Sequence, residues 1–501
     1  MFVLHANLLP VCYAAQADWF LHHIPFFDCP DPSFREIYYF RWNVYHQHIR
    51  RTPAGYVITE FLPDVPWAGK YNTISCAVGH HLYEGRWLHT PEYLDDYITF
   101  WVRDPEAASR AYSSWISDAL YARSLVTGDT DLPLHLLDDL VRNYEGWEAE
   151  RLDPSGLFWQ IDDRDGMEYQ ISGSGCRPTI NSYQYGDALA IAKFAQFANR
   201  FDLEQAYIAK AERLKTLVQE LLWDKDAQFF KTLPTPVALH HHYQQHLEPR
   251  QIVGQLADVR EQQGYIPWYF NLPDAGYETA WSQIADPLGF AAPYGPSTAE
   301  RRHPYWQAAP RQDQHECLWR GSSWPFATSQ TLTAMANLLN YYTQHVISVH
   351  DYFKVLQDYT QTQYLQQPDG TRIPWIDESA HPDTGEWVSR TTLYQQQRAD
   401  KDRGQAYNHS TYADHIISGL VGLRARSDTV VEVNPLLPIG TWGYFCLDNV
   451  KYHHRMLTIL YDHDGNHYRK GEGLRVFADG QLVGQRPDLG RLHITLSGSN
   501  L

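Results

Sequence analysis

The strongest constraint on this chain is a long succession of helix-length segments broken by polar loops, which gives way near residue 428 to period-two alternation. Apolar residues recur at helical spacing from Phe34 to Ile49, behind the start signal Asp31-Pro32-Ser33. Further helices are expected from Asp104-Pro105-Glu106 through Trp115 and Leu120 to Leu125, from Asp131 to Trp147, from Tyr183 to Phe197 and from Leu203 to Leu222. Others run from Pro325 to Tyr342, from His350 to Tyr364 and from Tyr412 to Val421. Roughly a dozen helices with short connections is the pattern of helical hairpins. No repeat of fixed length marks a TPR or HEAT array. A closed ring of six hairpins suits the count and gathers the loops at one end. Past residue 428, Val430-Val431-Glu432-Val433 and the segment Leu474 to Val483 alternate, with hairpin signals at Asp464-Gly465 and Asp479-Gly480. The expected organisation is therefore mainly α: a helical domain over residues 1–428 and a small all-β, sandwich-like module over 429–501 that caps it.

Composition narrows the function. With 41 Lys and Arg against 59 Asp and Glu, the net charge is −18, which disfavours nucleic acid and anionic membrane surfaces as partners. No apolar run approaches the ~20 residues that span a bilayer. The six cysteines, Cys12, Cys29, Cys76, Cys176, Cys317 and Cys446, form no CxxC pair and read as buried free thiols. The stretch Met1 to Ala15 lacks the basic start of a signal peptide, so a cytoplasmic location is expected, with secretion through a weak signal as the other option. No dinucleotide fingerprint, P-loop or EF-hand loop is present, and neither a cofactor nor a metal is expected. His80 and His81, adjacent on a helix, diverge and make a poor metal pair.

Aromatic content is high, at 17 Trp, 34 Tyr and 20 Phe. It fits a large core, and it also fits a cleft that stacks the apolar faces of sugar rings. Three loop clusters combine aromatics with charge. The first, Trp159 to Tyr169, holds Asp162, Asp163, Asp165 and Glu168 and leads into a helix bearing Tyr185 and Asp187. Crowded carboxylates raise one another's pKa, as a general acid requires, although a solvated acidic loop has the same composition. The second is Trp319-Arg320-Gly321-Ser322-Ser323-Trp324, an Arg between two Trp at a helix start. The third, Ile373 to Trp387, sets Asp377-Glu378 between Trp375 and Trp387, with Tyr407-Asn408-His409 downstream. Trp67 and Trp268 lie on other aromatic loop segments. Glu168 and Glu378 are far apart in the chain and meet only if the helical domain closes on itself.

At these clusters the sequence resembles the inverting glycosidases with (α/α)6 barrels: glycoside hydrolase family 63 and the mannosylglycerate-hydrolase-like enzymes, with family 37 trehalases more distant. Trp319-Arg320-Gly321-Ser322-Ser323-Trp324 is similar to their Trp-Arg-Gly-x-x-Trp motif. Glu378-Ser379-Ala380-His381-Pro382-Asp383-Thr384-Gly385 resembles the segment whose Glu is the general base. Asp165-Gly166-Met167-Glu168 stands where the family has Glu-Ser-Gly-x-Asp, whose final Asp is the general acid, so Glu168 is the implied acid and Asp165 its alternative. The resemblance spans roughly residues 30–425.

The expected function is an inverting, exo-acting hydrolase of a terminal glycosidic bond of α-glucoside or α-mannoside type, acting on a small-molecule or oligosaccharide substrate. Expected substrate-binding residues are Trp67, Trp159, Tyr185, Trp268, Trp319, Arg320, Trp324, Trp375 and His409. Two other readings stand beside it. One is a uronate lyase or phosphorylase on the same toroid, with Arg41, Lys70 and Arg320 as uronate partners. The other is a non-catalytic sugar-binding protein.

Overall fold

A computed structural model describes residues 16–242 and 252–496; the candidate signal stretch and Cys12 lie outside them. Six helical segments form an inner ring: Val78–Gly85, Ile116–Thr127, Pro178–Phe197, Ile266–Tyr269, Pro325–Tyr341 and the π-helical turn His415–Leu420. Each touches the next. Gly79 packs so tightly on Trp115 that a Cβ there would fall 2.0 Å from the indole. The backbone N–H of Asp118 donates to Asp187 at 2.9 Å, and Tyr183 and Phe270 meet edge to face with centroids 5.9 Å apart. Asn337 donates to the carbonyl of Trp268 at 3.2 Å, and Ser329 donates to the carbonyl of Thr411 at 3.0 Å.

The ring closes through buried charge. The Glu84 carboxylate accepts the backbone N–H groups of Tyr412, Ala413 and Asp414, and Arg86 pairs with Asp414 at 2.8 Å. These are the orphan donors of a helix start, satisfied by a carboxylate from the first inner helix. Outside the ring lie Pro32–His48, Glu92–Arg103, Asp131–Arg151, Phe201–Leu221 and Val349–Thr362, with the 3-10 turn Glu278–Gln283 as the reduced sixth. The result is an (α/α)6 barrel.

Several helix limits differ from expectation: the helix expected from Tyr183 starts at Pro178, and the one expected to end at Trp147 runs to Arg151. Residues 104–115 form a loop, and the helix starts at Ile116. The Asp104 side chain accepts the N–H of Glu106 at 2.9 Å, and Ala108 adopts φ 54°, so the turn chemistry wins over the apolar spacing. Trp268, expected on a loop, sits inside a short helix that has Pro267 in its first turn.

The β-module begins earlier than residue 429 and is not built from the C-terminus alone. Strand Leu423–Arg424 pairs with Val430–Val433, which pairs with Leu492–Thr495. The larger sheet holds Tyr444–Tyr452, Arg455–Asp462, Gly473–Ala478 and Gln481–Arg486, and its edge is Phe26–Asp28 from the N-terminal part of the chain. Asp479-Gly480 forms the expected hairpin turn. No described helix is long and apolar enough to cross a membrane.

Candidate active site

The loops that feed the N-termini of the inner helices converge on one cavity of about 260 Å³. Glu60, Trp67 and Cys76 come from the stretch before the first inner helix, Tyr112 from the loop before the second, and Asp163, Arg164 and Glu168 from the loop before the third. His315, Glu316, Cys317, Trp319 and Trp324 precede the fifth, and Glu378, Arg403, Tyr407 and His409 precede the last. Parallel inner helices therefore bring residues from distant parts of the chain to one end of the barrel.

The Glu168 loop is held by a buried cation. Arg177, fully buried, donates to Asp165 at 2.8 Å, to Asp162 at 2.8 Å and to the carbonyls of Gly173 and Met167. From outside, the N–H of Trp319 donates to the carbonyl of Glu168 at 3.2 Å, and Arg320 Nε donates to the carbonyl of Tyr169 at 3.0 Å. Gly166 has φ 78°, and a Cβ there would press within 3.2 Å of both Phe326 and Cys76. With the backbone pinned, the Glu168 carboxyl faces the cavity, and no described side chain or N–H donates to it. Burial pushes its pKa well above the ordinary carboxylate value, and Asp163, Asp162, Glu60 and Glu378 add to the shift.

Glu378 meets the opposite environment. Arg403 donates to it from Nε at 2.9 Å and from a terminal nitrogen at 3.3 Å, and the Cys317 thiol donates at 3.5 Å. Arg403 also pairs with Glu316 at 2.6 Å and Asp400 at 3.0 Å, and its guanidinium lies over the Trp67 ring. Burial opposes ionisation of Glu316, yet Arg403 and His315 together hold its pKa below the usual value. One cavity thus holds one carboxyl stripped of donors and one fixed by a guanidinium.

The aromatic wall is ordered by stacking. Trp319 and Trp324 lie nearly parallel with centroids 4.1 Å apart, and the Trp324 indole donates to Ser322. His409 lies tilted by 37° against Tyr407, with centroids 3.7 Å apart. It is buried, and among the described residues neither ring nitrogen has a hydrogen-bond partner of good geometry. Burial lowers its pKa, so it is a neutral imidazole with free polar atoms in the cavity wall.

Of the expected site residues, Glu168, Glu378, Trp67, Trp319, Trp324 and His409 line the cavity; the other six do not. Asp165 is fully buried and bound by Arg177 and Thr179, so it braces the loop and does not line the cavity. Arg320 grips the Tyr169 carbonyl and lines a separate cavity with Ile171 and Ser172. Trp159 sits in a two-residue strand opposite Cys176 under the Arg151 guanidinium. Tyr185 is buried further along the Pro178–Phe197 helix. Trp268 is core, edge-on to Phe230 and Trp281. Trp375 packs under Arg390 beside the Val44, Ile376 and Trp387 cluster.

The cations invoked for a uronate are committed elsewhere. Arg41 is buried on Tyr359, Gln363 and Ser410, and Lys70 pairs with Asp104 and Glu106. His81 is engaged by Tyr97 and the Asn408 carbonyl. His315, Glu316 and Cys317 bring three metal-type donors within 4.8 Å of one another, but Glu316 is already paired with Arg403.

The sequence reading missed Glu60, Glu316, Cys317 and Arg403. Glu60 stands in an ordinary strand-to-loop sequence. Arg403 lies in the polar run Arg398 to Arg403, which composition alone reads as a solvated loop.

Comparison with known proteins points to the same fold. Residues 70–410 match the mannosylglycerate hydrolase MGH1-like glycoside hydrolase domain, and residues 423–484 match the C-terminal domain of glycosyl hydrolase family 65. A solved structure titled as a sialidase is 42% identical over 96% of this chain, with a TM-score of 0.87. The chain spans 42% of that protein's length. The GH63 mannosylglycerate hydrolase of Thermus thermophilus, solved with Tris and D-glycerate, superposes with a TM-score of 0.54 at 11% identity, covering 76% of this chain and 98% of that one. A GH78 rhamnosidase of a Bacillus species superposes with a TM-score of 0.54 at 12% identity, covering 91% of this chain and 41% of that one. The last two likenesses concern the fold alone.

Proposed function

This chain belongs to the mannosylglycerate hydrolase MGH1-like glycoside hydrolase family, and from that premise we propose that it is an inverting, exo-acting hydrolase of a terminal glycosidic bond. The observation that carries the reading is the opposed surroundings of two carboxyls in one cavity, one without a donor and one held by a guanidinium. Glu168, half-buried at the cavity without a donor, is suited to remain protonated and to give its proton to the leaving oxygen. Glu378, oriented by two hydrogen bonds from Arg403, is suited to take a proton from water as it attacks the anomeric carbon from the opposite face. The glycosidic C–O bond breaks as the new C–O bond forms. The proton on the leaving oxygen comes from Glu168, and the proton lost by water goes to Glu378.

The Trp319–Trp324 stack and Trp67 offer apolar faces for the ring, and His409 offers a polar edge. A 260 Å³ cavity falls just below the roughly 300–1,000 Å³ of drug-sized ligand pockets, which favours one or two sugar units at a chain end. An α-mannoside or α-glucoside is the proposed substrate type.

The test is proton NMR of the anomeric product during incubation with a panel of α- and β-linked glycosides, wild type beside Glu378→Gln. Release of one sugar with inverted configuration by wild type alone is expected. Retained configuration, or an unsaturated product from uronides, overturns the mechanism.

A further inference from the structure

Among the cavity carboxyls that the two-carboxyl mechanism leaves unused, Glu60 stands out for its burial and its lack of a paired cation. Glu60 is 2% exposed and lines the cavity. Its Oε1 accepts the Tyr407 hydroxyl, and its Oε2 meets only the Cys76 thiol, at 3.6 Å. No described cation is paired with it. Arg403, the guanidinium that acts on Glu60 through space, directs its hydrogen bonds to Glu378, Glu316 and Asp400. The other groups that act on Glu60 are acidic or neutral, Glu378 and Glu168 with Tyr97, Tyr112, Tyr407 and Cys76, while Arg164, Arg398 and His315 line the same cavity without bonding to it.

We propose that Glu60 is a substrate-recognition residue that donates a hydrogen bond from its carboxyl O–H to a hydroxyl of the sugar in the cavity. The inference rests on the hydrolase reading for the identity of the ligand. Its physical basis is local. A carboxylate that deep, without a paired counter-cation and with four further carboxyls lining the same cavity, is destabilised against its neutral form. Burial is the largest effect and Glu378 adds to it, while Tyr407, Cys76 and Arg403 oppose; together they push the Glu60 pKa up to about 8. Below that pH the group carries its proton. Oε1 is occupied as an acceptor by Tyr407, so Oε2 is the atom placed to hold the proton beside only a weak thiol contact. A sugar hydroxyl is the kind of acceptor that completes it. Glu60 then discriminates by hydrogen bond: a sugar lacking that hydroxyl leaves a buried donor unpaired.

The test combines infrared difference spectroscopy of the free protein with calorimetric titration of D-mannose and D-glucose, on wild type, Glu60→Gln and Tyr407→Phe. At pH 6.5 wild type should show a protonated-carboxyl stretching band that Glu60→Gln lacks. That band should fade as pH rises past 8, and in Tyr407→Phe it should persist to higher pH, because the hydroxyl favours the ionised form. The sugar that binds should weaken by about tenfold or more between pH 6.5 and 9.5 in wild type, and much less in Glu60→Gln, whose amide keeps a donor. The proposal is overturned if no band is lost in Glu60→Gln, or if that variant keeps the wild-type pH dependence of affinity. If the band behaves as expected but neither sugar binds wild type at any pH, the sugar-hydrolase reading has failed and the recognition role falls with it.

Discussion

Glu168 and Glu378 are the same side chain in two surroundings, and the proposed division of work between them follows from that difference. Replacing Glu378 by Gln keeps the shape and removes the proposed base, so turnover should fall by about 10³-fold or more while sugar affinity changes little. Comparable losses in both, measured by steady-state kinetics and calorimetry, would place Glu378 in binding only. Arg403→Lys should also be costly, since a point charge cannot serve Glu378, Glu316 and Asp400 together as the guanidinium fork does. The pH profile follows from the direction of one shift. As the proposed acid, Glu168 must be protonated to act, and its pKa is raised, so the alkaline limb of kcat should lie well above the ordinary carboxylate range. An alkaline limb near the ordinary Glu value, about 4.3, would exclude Glu168 as the acid.

At the scale of elements, the site is a set of loops braced by buried charge. Arg177 ties Asp162 and Asp165 to the backbone that presents Glu168. Replacing it by Met leaves two buried carboxylates without their cation, a change that costs about 3–5 kcal/mol when one partner of a buried pair is removed. Urea unfolding of Arg177→Met should report a loss of that order, and activity should fall with it. The loop carrying Arg403 has a similar pin. A Cβ on Gly404 would lie 1.8 Å from Asp377 Oδ1, beside Glu378. Gly404→Ala should therefore depress kcat strongly, with a smaller change in unfolding midpoint than Arg177→Met shows. A near wild-type kcat would mean that the loop has slack. The Trp-Arg-Gly motif belongs to this scale as well. The spacing of Trp319, Arg320 and Trp324 is legible in the sequence, but Arg320 holds the Glu168 loop by its backbone and does not reach the cavity.

For the whole molecule, closing the ring buries many titratable groups in neutral form. His48 and His415 are fully enclosed, and burial, the largest effect on each, lowers their pKa to about 4. The unfolded chain binds those protons near pH 6.5 and the native state does not. Their contribution is therefore complete above about pH 6.5 and is lost progressively as pH falls toward 4, at about 3 kcal/mol for each. Unfolding midpoints should drop steeply between pH 6.5 and 4.5, and His48→Gln should flatten that slope. A midpoint constant over this range would mean that these histidines are protonated in the native state.

The helical period, the Asp31-Pro32 and Trp324-Pro325 starts and the Asp479-Gly480 hairpin depend on neighbours a few residues away, so the chain of residues alone determined them. The same holds for the two motifs that resemble known glycosidases, because each is a contiguous segment. Only the tertiary structure decided which polar residues share a cavity. Asp165 and Glu168 are three positions apart, yet one is locked on Arg177 and the other faces the cavity. Glu60, Glu316 and Arg403 have no local signature, since each matters through a partner far along the chain. The edge strand Phe26–Asp28 joined the C-terminal sheet for a similar reason: strand pairing is a long-range bond that no local pattern encodes.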